Sequence, residues 1–294
     1  MMPKYLILST LLCSLIGCGG GDSTKTPTQN GTQGSQNQNP TPSQNNPKEN
    51  TPPSTNATIQ SVNVSVATCI QETLQARQKT TNTLETLSCS KLSDRDFMLL
   101  NTLPALKSLT INDTSLTATD VRNIGSNVID HQITTLILEN DNLTKASVDN
   151  IDPKWNNSYG AEHFTSVKYL SFKDNPIEGL LVVDYFPALE TLDLRANVYP
   201  TNRLHHIGFV DNLKTFYLGG NPNIQNLNDM RDGPSAEASI ETMDISDLPA
   251  LNDISELLRF RSLTNLTIDA TQESQFTNTL SALRNNGVTI TTVQ

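Results

Sequence analysis

The chain has 294 residues, with 30 acidic side chains against 20 basic ones and a formal net charge of −10. Such an excess repels phosphate-rich partners, so nucleic acid and polyanionic headgroups are poor candidates. Its four histidines and four cysteines form no HExxH, GxSxG, Walker or EF-hand spacing, so no catalytic site, metal or cofactor is read from the sequence.

Lys4 opens the chain with positive charge, and Tyr5 to Ile16 is an apolar run of signal-peptide length, too short to span a bilayer. "LIGC", Leu15 to Cys18, follows at its end. This tetrad resembles the lipobox of bacterial lipoproteins. The resemblance implies that residues 1–17 are a signal peptide cut after Gly17 and that the Cys18 sulfur carries diacylglycerol. Several acyl chains, palmitate among them, would then anchor the protein stably where a single chain would not. Gly19, in place of an aspartate, implies the outer membrane if the cell is Gram-negative. An ordinary cleaved signal that happens to contain a cysteine is the alternative.

Residues 18–57 are rich in Gly, Ser, Thr, Asn, Gln and Pro, and hold no aliphatic side chain larger than alanine. Nothing there can build a core, so a disordered polar tether of roughly 35 Å typical reach is expected. Its charges cancel, Lys25 and Lys48 against Asp22 and Glu49, which leaves the acidity in the body that follows. With Cys13 in the removed run and Cys18 lipidated, Cys69 and Cys89 remain as an even pair in an exported chain. A disulfide between them would stabilise by roughly 3 kcal/mol. Two free thiols or a metal pair are the alternatives.

The body carries one recurring pattern: apolar, two others, apolar, one other, apolar, then often an asparagine. It appears as "LETLSCSKL" at Leu84, "LKSLTINDTSL" at Leu106, "ITTLILENDNL" at Ile133 and "VKYLSFKDNPI" at Val167. It continues as "LETLDLRANVY" at Leu189, "LKTFYLGGNPN" at Leu213, "IETMDISDL" at Ile240 and "LTNLTIDAT" at Leu263, with a degenerate "GVTITTV" last. The clear starts lie 22, 27, 34, 22, 24, 27 and 23 residues apart. One such coil cannot bury its apolar face, but a stack of coils can. Asn175, Asn197 and Asn221 fill the asparagine place; Thr114, Asp141 and Thr271 are read as substitutes, and Leu248 departs from it.

The pattern is similar to that of bacterial leucine-rich-repeat lipoproteins with internalin-like coils. The resemblance implies an α/β solenoid of about eight to nine coils, with a curved parallel sheet inside and helices and turns outside. Residues 58–92 would form the N-terminal cap and first strand, and 93–294 the solenoid with its C-terminal cap. Thr68 and Gln71 have capping-box spacing for a cap helix that would carry Cys69 to Cys89. Ser93 reads as an N-cap, "DISELLRF" as a helical return, and "SQFTNTLSALRNNGV" as a helix stopped near Gly287 before a closing strand. "NDMRDGPSAEAS" reads as a loop.

Solenoids bind along the concave sheet. Its central strand positions are expected to be Ser88, Thr110, Ile137, Ser171, Asp193, Tyr217, Asp244, Thr267 and Thr289. Most are small and polar, but Ile137, Glu139, Tyr169, Lys173, Asp193, Arg195 and Tyr217 fall on four neighbouring strands. Aromatic residues and arginine are enriched at interaction hot spots; exposed strands also favour Tyr and Thr for their own sake. The long third repeat adds a second candidate, with Trp155, Tyr159 and His163, against the reading that Trp155 packs on the outer side. A binding module for a protein or glycan is the favoured function. A structural or assembly lipoprotein of the envelope and an acid–base hydrolase are the other two readings.

Overall fold

The computed structural model describes residues 64–128, 132–151, 164–179, 182–232 and 234–294. Cys18, the tether, His131 and the Trp155–His163 stretch lie outside the described residues. The described residues belong to one unit, Thr58–Gln294.

Among the described residues nine strands form one parallel sheet: β2 (Thr86–Ser90), β4 (Ser108–Asn112), β5 (Thr135–Glu139), β6 (Tyr169–Ser171), β7 (Thr191–Asp193), β8 (Thr215–Tyr217), β9 (Thr242–Asp244), β10 (Asn265–Asp269) and β11 (Thr289–Val293). Their spatial order follows the chain, so each coil pairs only with its neighbours, as a leucine-rich-repeat solenoid requires. The repeat sets the register: Leu87, Leu109, Leu136, Leu170, Leu192, Phe216, Met243, Leu266 and Ile290 form one row. All but Ile290 are buried in a single core that runs the length of the stack. Burying each such side chain is worth about 1.5–3 kcal/mol. The last copy has one residue fewer between its first two apolar positions, Val288 and Ile290, than Leu263 and Leu266 have. Its central residue is therefore Thr291, paired with Thr267, and not Thr289.

At the N-terminal end, β1 (Val64–Ser65) pairs with β3 (Leu92–Asp94), and α1 (Val66–Arg77) covers the core. The helix starts earlier than the Thr68 spacing suggests, because Ser65 is its N-cap and accepts the Thr68 N–H at 3.0 Å. Cys69 and Cys89 are joined as a disulfide with their Cα atoms 5.9 Å apart, fastening α1 to β2. Ser93 lies in β3 and caps nothing; the return is a 3-10 helix, Phe97–Thr102, preceded by Asp96. Further returns are α2 (Ala118–Val128), α3 (Lys145–Val148) and the 3-10 turn Ser255–Arg259. The stretch read as a loop folds instead into a 3-10 turn, Asn228–Asp232, and α4 (Pro234–Ser239), because Met230 is drawn into the core. α5 (Ala270–Gln275) and α6 (Thr277–Asn285) close the C-terminal end, and Gly287, at φ +90°, turns the chain into β11. Among the described residues no helix is long and apolar enough to cross a membrane.

A buried polar ladder runs beside the strands. Asn221 accepts the Tyr199 N–H at 3.0 Å and donates to the carbonyls of Leu194 and Leu218, at 2.9 and 2.6 Å. Asn197 accepts from Ile177 N–H and donates to Phe172 and Leu194; Asn175 accepts from Asp141 and Leu143 and donates to Leu138 and Phe172. Thr114 accepts the Leu92 N–H and Asp141 the Thr114 N–H. At the C-terminal end the ladder residue is Gln272, whose amide reaches the Ile245 carbonyl at 2.9 Å. Thr271 is displaced outward into the first turn of α5, and Leu248 fills its own slot with buried hydrocarbon.

The turns after most strands use a left-handed residue, Lys91, Asp113, Asn140, Asp174, Ala196, Gly220 or Asp247, all with φ between 50 and 75°, and Ser115 and Asn142 add a second one after β4 and β5. Ala196, at φ 53°, is the position with neither glycine's freedom nor a polar side chain. Ala196→Gly should raise stability by about 1 kcal/mol in urea unfolding, because it relieves a left-handed Cβ. Asn221→Ala strands two buried backbone groups, the Tyr199 N–H and the Leu218 carbonyl, since Leu194 keeps its bond from Asn197; it should lower stability by about 2 kcal/mol, and both shifts are read from denaturation midpoints.

Candidate functional site: the concave face

Strand pairing places Ile137, Ser171, Asp193, Tyr217 and Asp244 side by side across β5 to β9, with Tyr169 two residues before Ser171 on β6. Glu139 ends β5, while Lys173 and Arg195 follow β6 and β7. The predicted group is therefore brought together on one surface. Ile137, Glu139, Tyr169, Lys173, Arg195 and Tyr217 are all part-exposed there.

Asp193 is the exception. It was expected to face solvent and is only 1% exposed. The Arg195 guanidinium bonds both its oxygens, with Nε at 3.0 and 3.1 Å and Nη2 at 2.5 Å. The Arg195 backbone N–H also donates to Asp193 Oδ1, at 3.0 Å. The cause lies in the ladder. Continuing the sheet register, the Arg195 N–H would meet the Phe172 carbonyl, but that oxygen already accepts from Asn175 and Asn197. Asp193 supplies the missing acceptor. Ser171 does the same for the Lys173 N–H at 3.4 Å, and Asp244 for the Ser246 N–H at 3.0 Å. These central side chains are backbone caps, and Ser171 and Asp244 are buried too. Two of the three are marked by a Ser or Asp four residues before a ladder asparagine, Ser171–Asn175 and Asp193–Asn197; Asp244 precedes Leu248 and lacks that mark.

The capping leaves a specific group at the surface. Arg195, fixed by Asp193, lies over the Tyr217 ring with its guanidinium carbon 4.7 Å from the centroid, a cation–π contact. Hydrogen bonding to Asp193 raises the Arg195 pKa, so it stays a cation. Burial first, then the nearby Asp193 and Glu139 charges, raise the Tyr169 pKa, so its hydroxyl stays protonated. Glu139 accepts from the Ser171 hydroxyl, and Lys173 pairs with Asp174 at 3.3 Å. The arrangement offers two flat phenol rings, an oriented guanidinium and a rim of carboxylate and ammonium. Such a surface can stack, donate and accept hydrogen bonds.

Clefts on the described residues lie elsewhere: beside the Cys69–Cys89 cap, around Val183 and Phe209, and between Asp247 and Val293. Among the described residues no three His, Cys, Asp or Glu side chains gather as a metal site. His205 and His206 pack ring against ring, centroids 3.9 Å apart, and His205 Nδ1 faces Asp229 at 3.4 Å.

No protein-family profile matches the sequence, and no curated protein does. Among solved structures, internalin C2 of Listeria monocytogenes is similar, with a TM-score of 0.50 and 17% identity, over 76% of this chain and 92% of that one. A second internalin of the same organism, inlF, gives a TM-score of 0.37 and 15% identity, over 70% of this chain and 66% of that one. The architecture of this chain is thus that of an internalin-like leucine-rich-repeat solenoid.

Proposed function

We propose that this protein is a non-enzymatic, lipid-anchored binding module that recognises a protein or glycan through its concave face. The observation that carries this reading is the Tyr169, Arg195 and Tyr217 group on neighbouring coils, with Arg195 held in place by Asp193. Flanking strands present Ser88, Thr110 and Thr267 at the corresponding central place, the composition of a plain solvated sheet. Tyrosine rings bury large area at small entropic cost, and Asp193 already orders the arginine, which suits the group as an anchor. The lipobox supports an anchor at Cys18 and export, most simply to the outer membrane. The polar tether would then hold the solenoid clear of the bilayer for host or neighbouring-cell molecules.

Labelled palmitate should enter the wild-type protein in cells and not Cys18→Ser; equal labelling would remove the anchor from this proposal. Retention of protein and glycan panels on the immobilised body should fall at least tenfold in Tyr169→Ala/Tyr217→Ala, with an unchanged melting midpoint. Unchanged retention would move the binding surface elsewhere. Arg195→Glu is the poorer probe, since it sets a second carboxylate beside buried Asp193. It should itself destabilise the fold by about 1–2 kcal/mol, a value discounted for the half-exposed guanidinium.

A further inference from the structure

The ladder position of the third coil holds an acid, Asp141, where the next three coils hold Asn175, Asn197 and Asn221. One of its oxygens does what an asparagine carbonyl does: Oδ1 accepts the Thr114 N–H at 2.8 Å. The other, Oδ2, stands in for the amide nitrogen, and it is buried without a hydrogen-bond partner. In Asn197 that nitrogen donates to the carbonyls of Leu194 and Phe172, at 3.0 Å each. The same register sets Leu138 and Ile111 carbonyls as the acceptors for Asp141. An ionised carboxylate would turn lone pairs toward lone pairs there, whereas a neutral acid has one hydrogen to give.

We propose that Asp141 serves as the neutral carboxylic-acid member of the ladder, donating its proton toward Leu138 and Ile111, and that the junction of the second and third coils weakens as rising pH favours ionisation.

The surroundings favour the neutral form. Asp141 is 0% exposed. Asp113, in the turn of the preceding coil, and Glu139, on its own strand, face it with like charge. Arg95 is the facing cation, and it is already engaged by Asp120 at 2.9 Å and the Thr114 carbonyl at 3.1 Å. Asn175 packs from the following coil without charge and accepts the Asp141 N–H at 3.0 Å. Burial above all, with the two acids adding to it and the Thr114 N–H opposing it, lifts the pKa from 3.8 to about 7. The unfolded chain loses this proton near 3.8, so between that value and about 7 the native state holds a proton that the unfolded state lacks. The contribution to stability is therefore whole below the lower value, falls through the window, and is gone beyond the upper one.

Melting midpoints of the full chain and of Asp141→Asn, from about pH 4 to about pH 9, test this. Equal midpoints are expected at the acid end, with an advantage for the asparagine variant that grows to several degrees near neutrality and then holds. Infrared spectroscopy supplies a second readout on the wild type alone. A buried protonated carboxyl band should be present at mildly acid pH and titrate away as the pH passes neutrality. Parallel pH profiles for the two proteins would overturn the proposal. So would a variant less stable than wild type at the alkaline end, or a wild type lacking the band.

Discussion

Every coil must enclose the backbone of its own turn, and enclosed N–H and C=O groups have to be paired. The ladder of Thr114, Asp141, Asn175, Asn197, Asn221 and Gln272 meets that demand one side chain at a time. Asparagine suits the place because its amide carries an acceptor and two donors on one planar group. Each one fastens its own turn and the neighbouring coil together. The hydrophobic row supplies most of the driving force and sets the register. The ladder ties each turn to the coil before it.

The same ladder shapes the concave face. By taking the Phe172 and Leu138 carbonyls it displaces the N–H groups of Arg195 and Lys173, and the central side chains fold down to accept them. Asp193 is buried for this reason, and Arg195 is drawn across to Tyr217. A structural necessity in the turn thus sets the orientation of the guanidinium. Rigid placement before binding reduces the ordering cost that a flexible arginine would carry.

Much of this was legible in the sequence. Spacing alone located the strands, their inward residues and the asparagine places, because stacked coils repeat one environment at one period. The grouping of Tyr169, Arg195 and Tyr217 followed from the same register, whereas the Cys69–Cys89 bond was expected from cysteine pairing in an exported chain. Three things did not follow. The burial of Asp193 depends on a competition for the Phe172 carbonyl, which no hydrophobic period reports. The place of Thr291 depends on a one-residue shortening at Val288, which flips the parity of the last strand. The role of Gln272 depends on a capping box with Asp269 that starts α5 early and pushes Thr271 outward.

The ladder acts as one network and not as separate turn bonds. Asn175 and Asn197 share an acceptor, the Phe172 carbonyl, at 2.9 and 3.0 Å. A double-mutant cycle on Asn175→Ala and Asn197→Ala, followed by urea unfolding, measures that sharing directly. A coupling of about 1 kcal/mol between the two substitutions is predicted, because each removes a bond to the same oxygen. Losses that simply add would rule out a shared network and leave each coil holding its own turn.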